Sequence, residues 1–189
     1  MAAKSDADKE YVARAEKMGW NELSALWEQI KAGNSEGWED GKALEHLVVR
    51  AFLLSGLDAE YPFDVPPGGK PFEEIDGLVV MGSNTFLFEC KDRPKVAIEV
   101  IAKLINQLLR RPGTTLGCVF TSGGFTSTAL LLADFSVPHR ILLWSGRDIE
   151  EGLKNQNFKE PLSEKYLNLC KYGLTDHSPN YEELEVKDE

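Results

Sequence analysis

The sequence predicts an α/β fold, on three observations. Short segments of alternating or apolar character cluster between residues 58 and 91. Longer segments with apolar residues three and four apart flank them, at about 41–55 and 94–112. A second apolar strand at 116–121 is followed by a glycine-rich turn and a further helical pattern, as expected where strands and helices alternate.

In chain order, residues 6–31 contain few breakers and carry apolar residues at Tyr11, Val12, Ala15, Met18, Trp20, Leu23, Leu26, Trp27 and Ile30. Two helices are predicted, with Asn21 as the N-cap of the second and Gly33 as its stop. Trp20 and Trp27 read as packing residues, and residues 1–37 as an N-terminal helical extension without chemistry of its own. The next helix runs from Trp38 or Gly41 to Ser55 and stops at Gly56. Its apolar residues surround it almost completely, which predicts a position against a sheet. Glu45 stands at the start of that apolar body, next to His46.

Asp58 to Val65 reads as a first strand, with Pro62 marking an edge or a bulge. The segment Pro66-Pro67-Gly68-Gly69-Lys70-Pro71 is a loop; it lacks the spacing of a phosphate-binding Walker motif. Ile75 to Met81 reads as a second strand, with Asp76, Leu78 and Val80 on one face. Gly82-Ser83-Asn84 turns the chain into a third strand, Thr85 to Lys91. There, alternation sends Phe86, Phe88 and Cys90 to one face and Leu87, Glu89 and Lys91 to the other. An antiparallel pairing returns Asp76 to Glu89, so the two carboxylates can share one cation. A carboxylate and an ammonium on an apolar strand are costly to desolvate and are expected to face water, a metal or each other.

Pro94 suits the first turn of a helix that ends before Gly113. Ala97, Val100, Ile101, Leu104 and Leu108 mark its buried side, and Glu99, Lys103, Gln107, Arg110 and Arg111 form a polar stripe. Leu116 to Thr121 is a strand, Ser122-Gly123-Gly124-Phe125-Thr126 a turn, and Ser127 to Phe135 a helix. A strand over Arg140–Trp144, a helix capped by Ser145 or Gly146 and running to Lys154, and a helix over Leu162–Tyr172 complete the chain. The residues after Thr175 read as a frayed tail.

A chain of 189 residues is long enough for one domain. The net charge of −10 argues against indiscriminate coating of nucleic acid. The charge is uneven, however. The last fourteen residues carry six acids against Lys187, whereas Lys91 to Arg111 carries six cations against Asp92 and Glu99. Three scattered cysteines, a polar N-terminus and the lack of a membrane-length apolar run lead to the expectation of a cytoplasmic protein away from membranes.

The helix with Glu45, the strand with Asp76, the Glu89-Cys90-Lys91 strand and the helix with Gln107 occur in an order that resembles the PD-(D/E)xK nuclease superfamily. Within it, the order resembles the Mrr-type restriction endonuclease-like and archaeal junction-resolvase-like groups. The resemblance covers about residues 40–154 and rests on Gly41-Lys-Ala-Leu-Glu45, Asp76-Gly-Leu-Val-Val, Phe88-Glu-Cys-Lys91, Gln107 and Gly117-Cys-Val-Phe-Thr-Ser-Gly-Gly-Phe-Thr126. Ile75 stands where the family has its proline.

The resemblance implies a restriction-endonuclease-like αβββαβ core, with a mixed central sheet flanked by helices, over residues 38–155. Residues 156–189 follow as a C-terminal helix and acidic tail. It implies Asp76, Glu89 and the Cys90 backbone carbonyl as ligands of Mg2+, with Mn2+ as a substitute, and Glu45 as a further ligand. Lys91 would orient the attacking water, Gln107 would approach the site, and Lys103, Arg110 and Arg111 would contact flanking phosphates. The implied activity is metal-dependent DNA endonuclease action in prokaryotic or phage defence (restriction) or DNA processing, with a homodimer or a protein partner supplying target choice. Two alternatives stand beside it: a catalytically silent nuclease-fold subunit that binds nucleic acid or protein, and an RNA-directed nuclease.

Overall fold

The computed structural model describes residues 6–65, 73–136 and 140–176. Its centre is a five-stranded mixed sheet in the order β1 (Asp58–Glu60), β4 (Gly77–Met81), β5 (Asn84–Lys91), β7 (Thr115–Thr121) and β9 (Ile141–Trp144). The two-residue turn between β4 and β5 forces an antiparallel pair. Helix α4 (Ile98–Leu108) carries the chain from β5 to β7, and α5 (Ser127–Asp134) carries it from β7 to β9, so those pairs are parallel.

The predicted alternation in β5 decides the layers. Phe86, Phe88 and Cys90 join a cluster with α2 (Trp20–Lys31), α3 (Lys42–Leu54), α6 (Gly146–Lys154) and α7 (Lys159–Tyr172). Leu87 faces the opposite way, toward Ile101 and Leu104 of α4 and Ala129 of α5. The first layer is aromatic: Phe88 and Phe120 meet at 5.0 Å between ring centroids, Phe52 and Phe88 at 5.4 Å, and Trp144 stacks on Phe158 at 5.7 Å. Each such ring contributes on the order of 2–3 kcal/mol by leaving water.

Four local expectations need correction. The strand expected over 58–65 breaks at Tyr61-Pro62 into edge strand β1 and a separate strand, β2 (Phe63–Val65), because proline has no N–H for a continuing ladder. The strand expected over 75–81 is interrupted at Asp76, between β3 (Glu73–Ile75) and β4. Pro94 does not open the long helix. Residues 95–96 form a short strand, β6 (Lys95–Val96), paired with β8 (Gly124–Phe125), and α4 starts at Ile98.

The N-cap of α2 is Gly19 rather than Asn21, with its N–H donating to Glu22 Oε2 at 3.0 Å. Helices α1 (Asp6–Ala15) and α2 pack into the core: Ala15, Leu23, Leu26, Trp27 and Ile30 share one apolar cluster with α3 and the sheet. The loop over 66–71 and most of the tail after Thr175 lie outside the described residues. No described helix is long and apolar enough to cross a membrane.

Candidate active site

The charged residues gather where β4 and β5 meet. The register sets Gly77 opposite Phe88 and therefore Asp76 beside Glu89. Gly77 makes the bend possible: its φ is 153°, and a Cβ there would lie 2.7 Å from Val49 Cγ2 and 3.0 Å from Phe88 Cδ2. At the bend the Asp76 side chain acts as a ladder partner, its Oδ2 accepting the Cys90 N–H at 2.7 Å.

Glu89 is fully buried on the face shared with α4. Two ammonium groups meet it. Lys91 Nζ lies 2.6 Å from Oε1, and Lys103 Nζ, reaching in from α4, lies 2.6 Å from Oε2. The Oε2 contact is an ion pair without hydrogen-bond geometry; the Lys103 hydrogen bond runs to Oε1 at 2.9 Å. Lys91 Nζ also donates to the Cys90 carbonyl at 2.9 Å and lies 3.7 Å from Asp76 Oδ2. One cation is thus surrounded by oxygens of Asp76, Glu89 and Cys90.

Glu45 approaches from the first turn of α3. Its Oε2 pairs with Lys42 Nζ at 2.9 Å, and Lys42 reaches Glu74 Oε1 at the same distance. Burial, then the charge of Asp76, pushes the Glu45 carboxyl up to about 7. Burial, then the charge of Glu89, pushes Asp76 up to about 6. The three acids therefore sense one another even though they come from separate elements. Burial alone would lower the Lys91 ammonium, but Asp76 and Glu89 outweigh it and hold the group above its ordinary value. In this arrangement Lys91 is a proton-bearing cation.

Among the described residues, no three His, Cys, Asp or Glu side chains gather into a metal cage by themselves. The donors available to a hard divalent cation are two carboxylates and one main-chain carbonyl, with Glu45 nearby. Their chemistry fits Mg2+, which prefers a few protein oxygens and retains several waters.

A cleft of about 510 Å3 opens beside the cluster, with Glu45, Cys90 and Lys91 on one side and Ser35, Asp40 and Gly41 on the other. The second wall belongs to the α2–α3 connection, which sequence reasoning had assigned no role. Gly33, Gly37 and Gly41, all at positive φ, were the only signal of its turns.

Other anticipated residues serve neighbouring structure. Gln107 is buried, but its Nε2 donates to the Glu74 carbonyl at 3.2 Å, so it holds β3 rather than an acid of the cluster. Its Oε1 has no hydrogen-bond partner among the described residues. Arg110 and Arg111 bracket the buried Glu73, with Arg111 Nη2 at 2.6 Å from Oε2. Both guanidinium groups, proposed from the sequence as flanking phosphate contacts, are engaged with Glu73 here, with Arg110 still 41% exposed. Lys103, from the same polar stripe, pairs with Glu89.

Two further residues have structural settings. His46 is enclosed by Tyr11, Trp38 and Tyr61, with its Nδ1 2.9 Å from the Lys42 carbonyl oxygen. Cys90 turns its thiol into the core, where burial pushes its pKa well up and keeps it unreactive.

Neither a protein-family model nor a curated protein matches the chain. Among solved structures, it is similar to AF1548, a protein of unknown function, at 20% identity and a TM-score of 0.48 over 66% of this chain and 76% of that one. It is similar to the DNA modification-dependent restriction endonuclease AspBHI at 19% identity and a TM-score of 0.46, over 83% of this chain and 41% of that one. It is also similar to the MspJI restriction endonuclease, solved in complex with a 27-mer oligonucleotide, at 18% identity and a TM-score of 0.46, over 95% of this chain and 42% of that one. The matches therefore span less than half the length of either restriction endonuclease.

Proposed function

We propose that this chain is a Mg2+-dependent endonuclease that hydrolyses DNA phosphodiester bonds. The observation that carries the reading is the convergence of Asp76, Glu89 and Cys90 oxygens on one cation beside an open cleft. Asp76, Glu89 and the Cys90 carbonyl would hold the metal, with Glu45 as an additional ligand, directly or through water. When bound, the metal supplies charge neutralisation at the phosphate and a water acidified toward neutral pH.

The protein's own contribution is positional. Glu89 is locked by burial and Asp76 by the Cys90 N–H, and Lys91, which contacts both, lines the cleft. Lys91, kept protonated by these acids, supplies positive charge to the phosphate and orients water at its Nζ. Lys103 is half-exposed and can leave Glu89 for a substrate phosphate. The resemblance of the motifs to PD-(D/E)xK nucleases points to restriction or DNA processing as the setting.

A second reading, a non-cleaving subunit that binds nucleic acid or protein, draws on the charge balance. Glu45, Asp76 and Glu89 are compensated by Lys42, Lys91 and Lys103, as in a structural network. Incubation with linear, circular, single-stranded and branched DNA, with Mg2+, Mn2+ or EDTA, separates the two. Metal-dependent cutting that disappears in Lys91→Ala and Asp76→Ala supports the nuclease. Cutting that survives in both variants refutes this site, and binding without cutting in every condition favours the second reading.

A further inference from the structure

The cations around the site divide into two groups. Lys42, Lys91, Lys103, Arg110 and Arg111 are all committed to carboxylates of the fold. Arg93 and Lys95, immediately beyond the catalytic strand, are exposed and have no side-chain partner among the described residues.

Arg93 also holds a particular place. A second hollow of about 370 Å3, bordered by Pro94, Ser122 and Gly123, shares Gly33, Asp92 and Arg93 with the catalytic cleft, so the two form one trough with Arg93 at the junction. The backbone carrying Arg93 is pinned. Its carbonyl accepts from Thr121 Oγ1 at 3.0 Å, and the next carbonyl, of Pro94, accepts from the Gly124 N–H at 3.0 Å. Gly123 permits that approach, because a Cβ there would sit 2.1 Å from the Pro94 oxygen. The nearest acid, Asp92, accepts a 2.5 Å hydrogen bond from Ser122 Oγ, which gives it a partner other than Arg93.

We propose that Arg93, with Lys95 behind it, forms a phosphate-binding subsite that grips the nucleic-acid backbone next to the scissile bond and directs the strand along this trough. The subsite rests on the nuclease reading and adds a backbone contact on the segment that follows Lys91. A guanidinium on a fixed main chain suits this task, because it can offer two parallel N–H donors to one phosphate with little ordering cost.

The test is fluorescence anisotropy of a labelled oligonucleotide, single-stranded and duplex, titrated with the full chain in EDTA over a salt series. Arg93→Ala is expected to weaken binding about tenfold and to reduce the slope of log affinity against log salt by about one. Lys95→Ala is expected to give a smaller loss, and Arg93→Lys to retain the slope while losing part of the affinity. Arg110→Ala, whose guanidinium serves Glu73, is expected to leave the slope unchanged. An Arg93→Ala protein that melts and binds like the parent overturns the subsite, while cleavage by the parent would still support the nuclease. A parent that neither binds nor cuts nucleic acid removes both.

Discussion

Two sets of buried charges can be compared directly: the Asp76, Glu89 and Lys91 cluster, and the pair formed by Asp148 of α6 and Lys165 of α7. In the second, both side chains are fully enclosed and Lys165 Nζ lies 3.2 Å from Asp148 Oδ1. Asp148 Oδ2 also accepts the Ser145 N–H and hydroxyl at 2.7 Å each, closing the N-terminus of α6. One acid thus meets a base and closes a helix cap. At the cleft, carboxylates crowd carboxylates, and burial together with mutual repulsion raises Asp76 and Glu45. Burial alone does not distinguish a functional charge from a structural one, and the two clusters differ instead in whether like charges share the burial and in whether a cleft adjoins them.

The largest expected effect is on chemistry. Lys91→Ala and Asp76→Ala should each reduce cleavage by about 10²–10³-fold or more, read as initial rates on a labelled duplex. Lys165→Ala should behave in the opposite manner. By stranding Asp148 in the core it should cost about 3–5 kcal/mol in urea denaturation, with cleavage by the remaining folded protein preserved. A Lys165→Ala protein as stable as the parent would break the distinction between the two clusters.

The pH dependence gives an intermediate effect. Between about pH 4.5 and 7, folded Glu45 holds a proton that the unfolded chain has released, and Asp76 behaves similarly up to about 6. The folded state therefore binds more protons in this window, so its stability falls as pH rises and levels off above about 7. Melting temperatures in EDTA from pH 5 to 8 should show this fall, and Glu45→Gln should flatten it. Mg2+ should flatten it as well, because a cation favours the ionised acids; an unchanged slope with Mg2+ would count against the metal assignment.

The smallest effect is expected at Lys103, whose side chain is 47% exposed. Lys103→Met should change stability by no more than about 1 kcal/mol. It should also tighten Mg2+ binding in calorimetry, since one competing cation leaves Glu89.

Much of this arrangement was legible beforehand because it follows from a local period. Alternation in β5 assigned Phe88 and Cys90 to one layer and Glu89 and Lys91 to the other, and the short turn at Gly82-Ser83 returned Asp76 toward Glu89. Composition also located α2, α3, α5 and α6, with Ser145 capping α6 as anticipated. The break at Asp76 was harder to read, since a side chain replacing a ladder partner leaves no periodic trace. The displaced start of α4 was also missed. Pro94 is compatible with a helix start, and only the pairing of Lys95 and Val96 with Gly124 and Phe125 decides otherwise.

The sequence by itself determined the kinds of groups available, their order, and which of them share a strand face, because these depend on spacing along one element. Tertiary structure alone decided which charge each group would meet. Glu73 takes Arg110 and Arg111 from the turn after α4, more than thirty positions away, Glu89 takes Lys103, and the cleft takes a wall from residues 35–41. Ion pairing acts over a few ångströms and is indifferent to sequence separation, so the crossover of α4 and the packing of α3 had to exist before Lys103 could be committed and Arg93 left available.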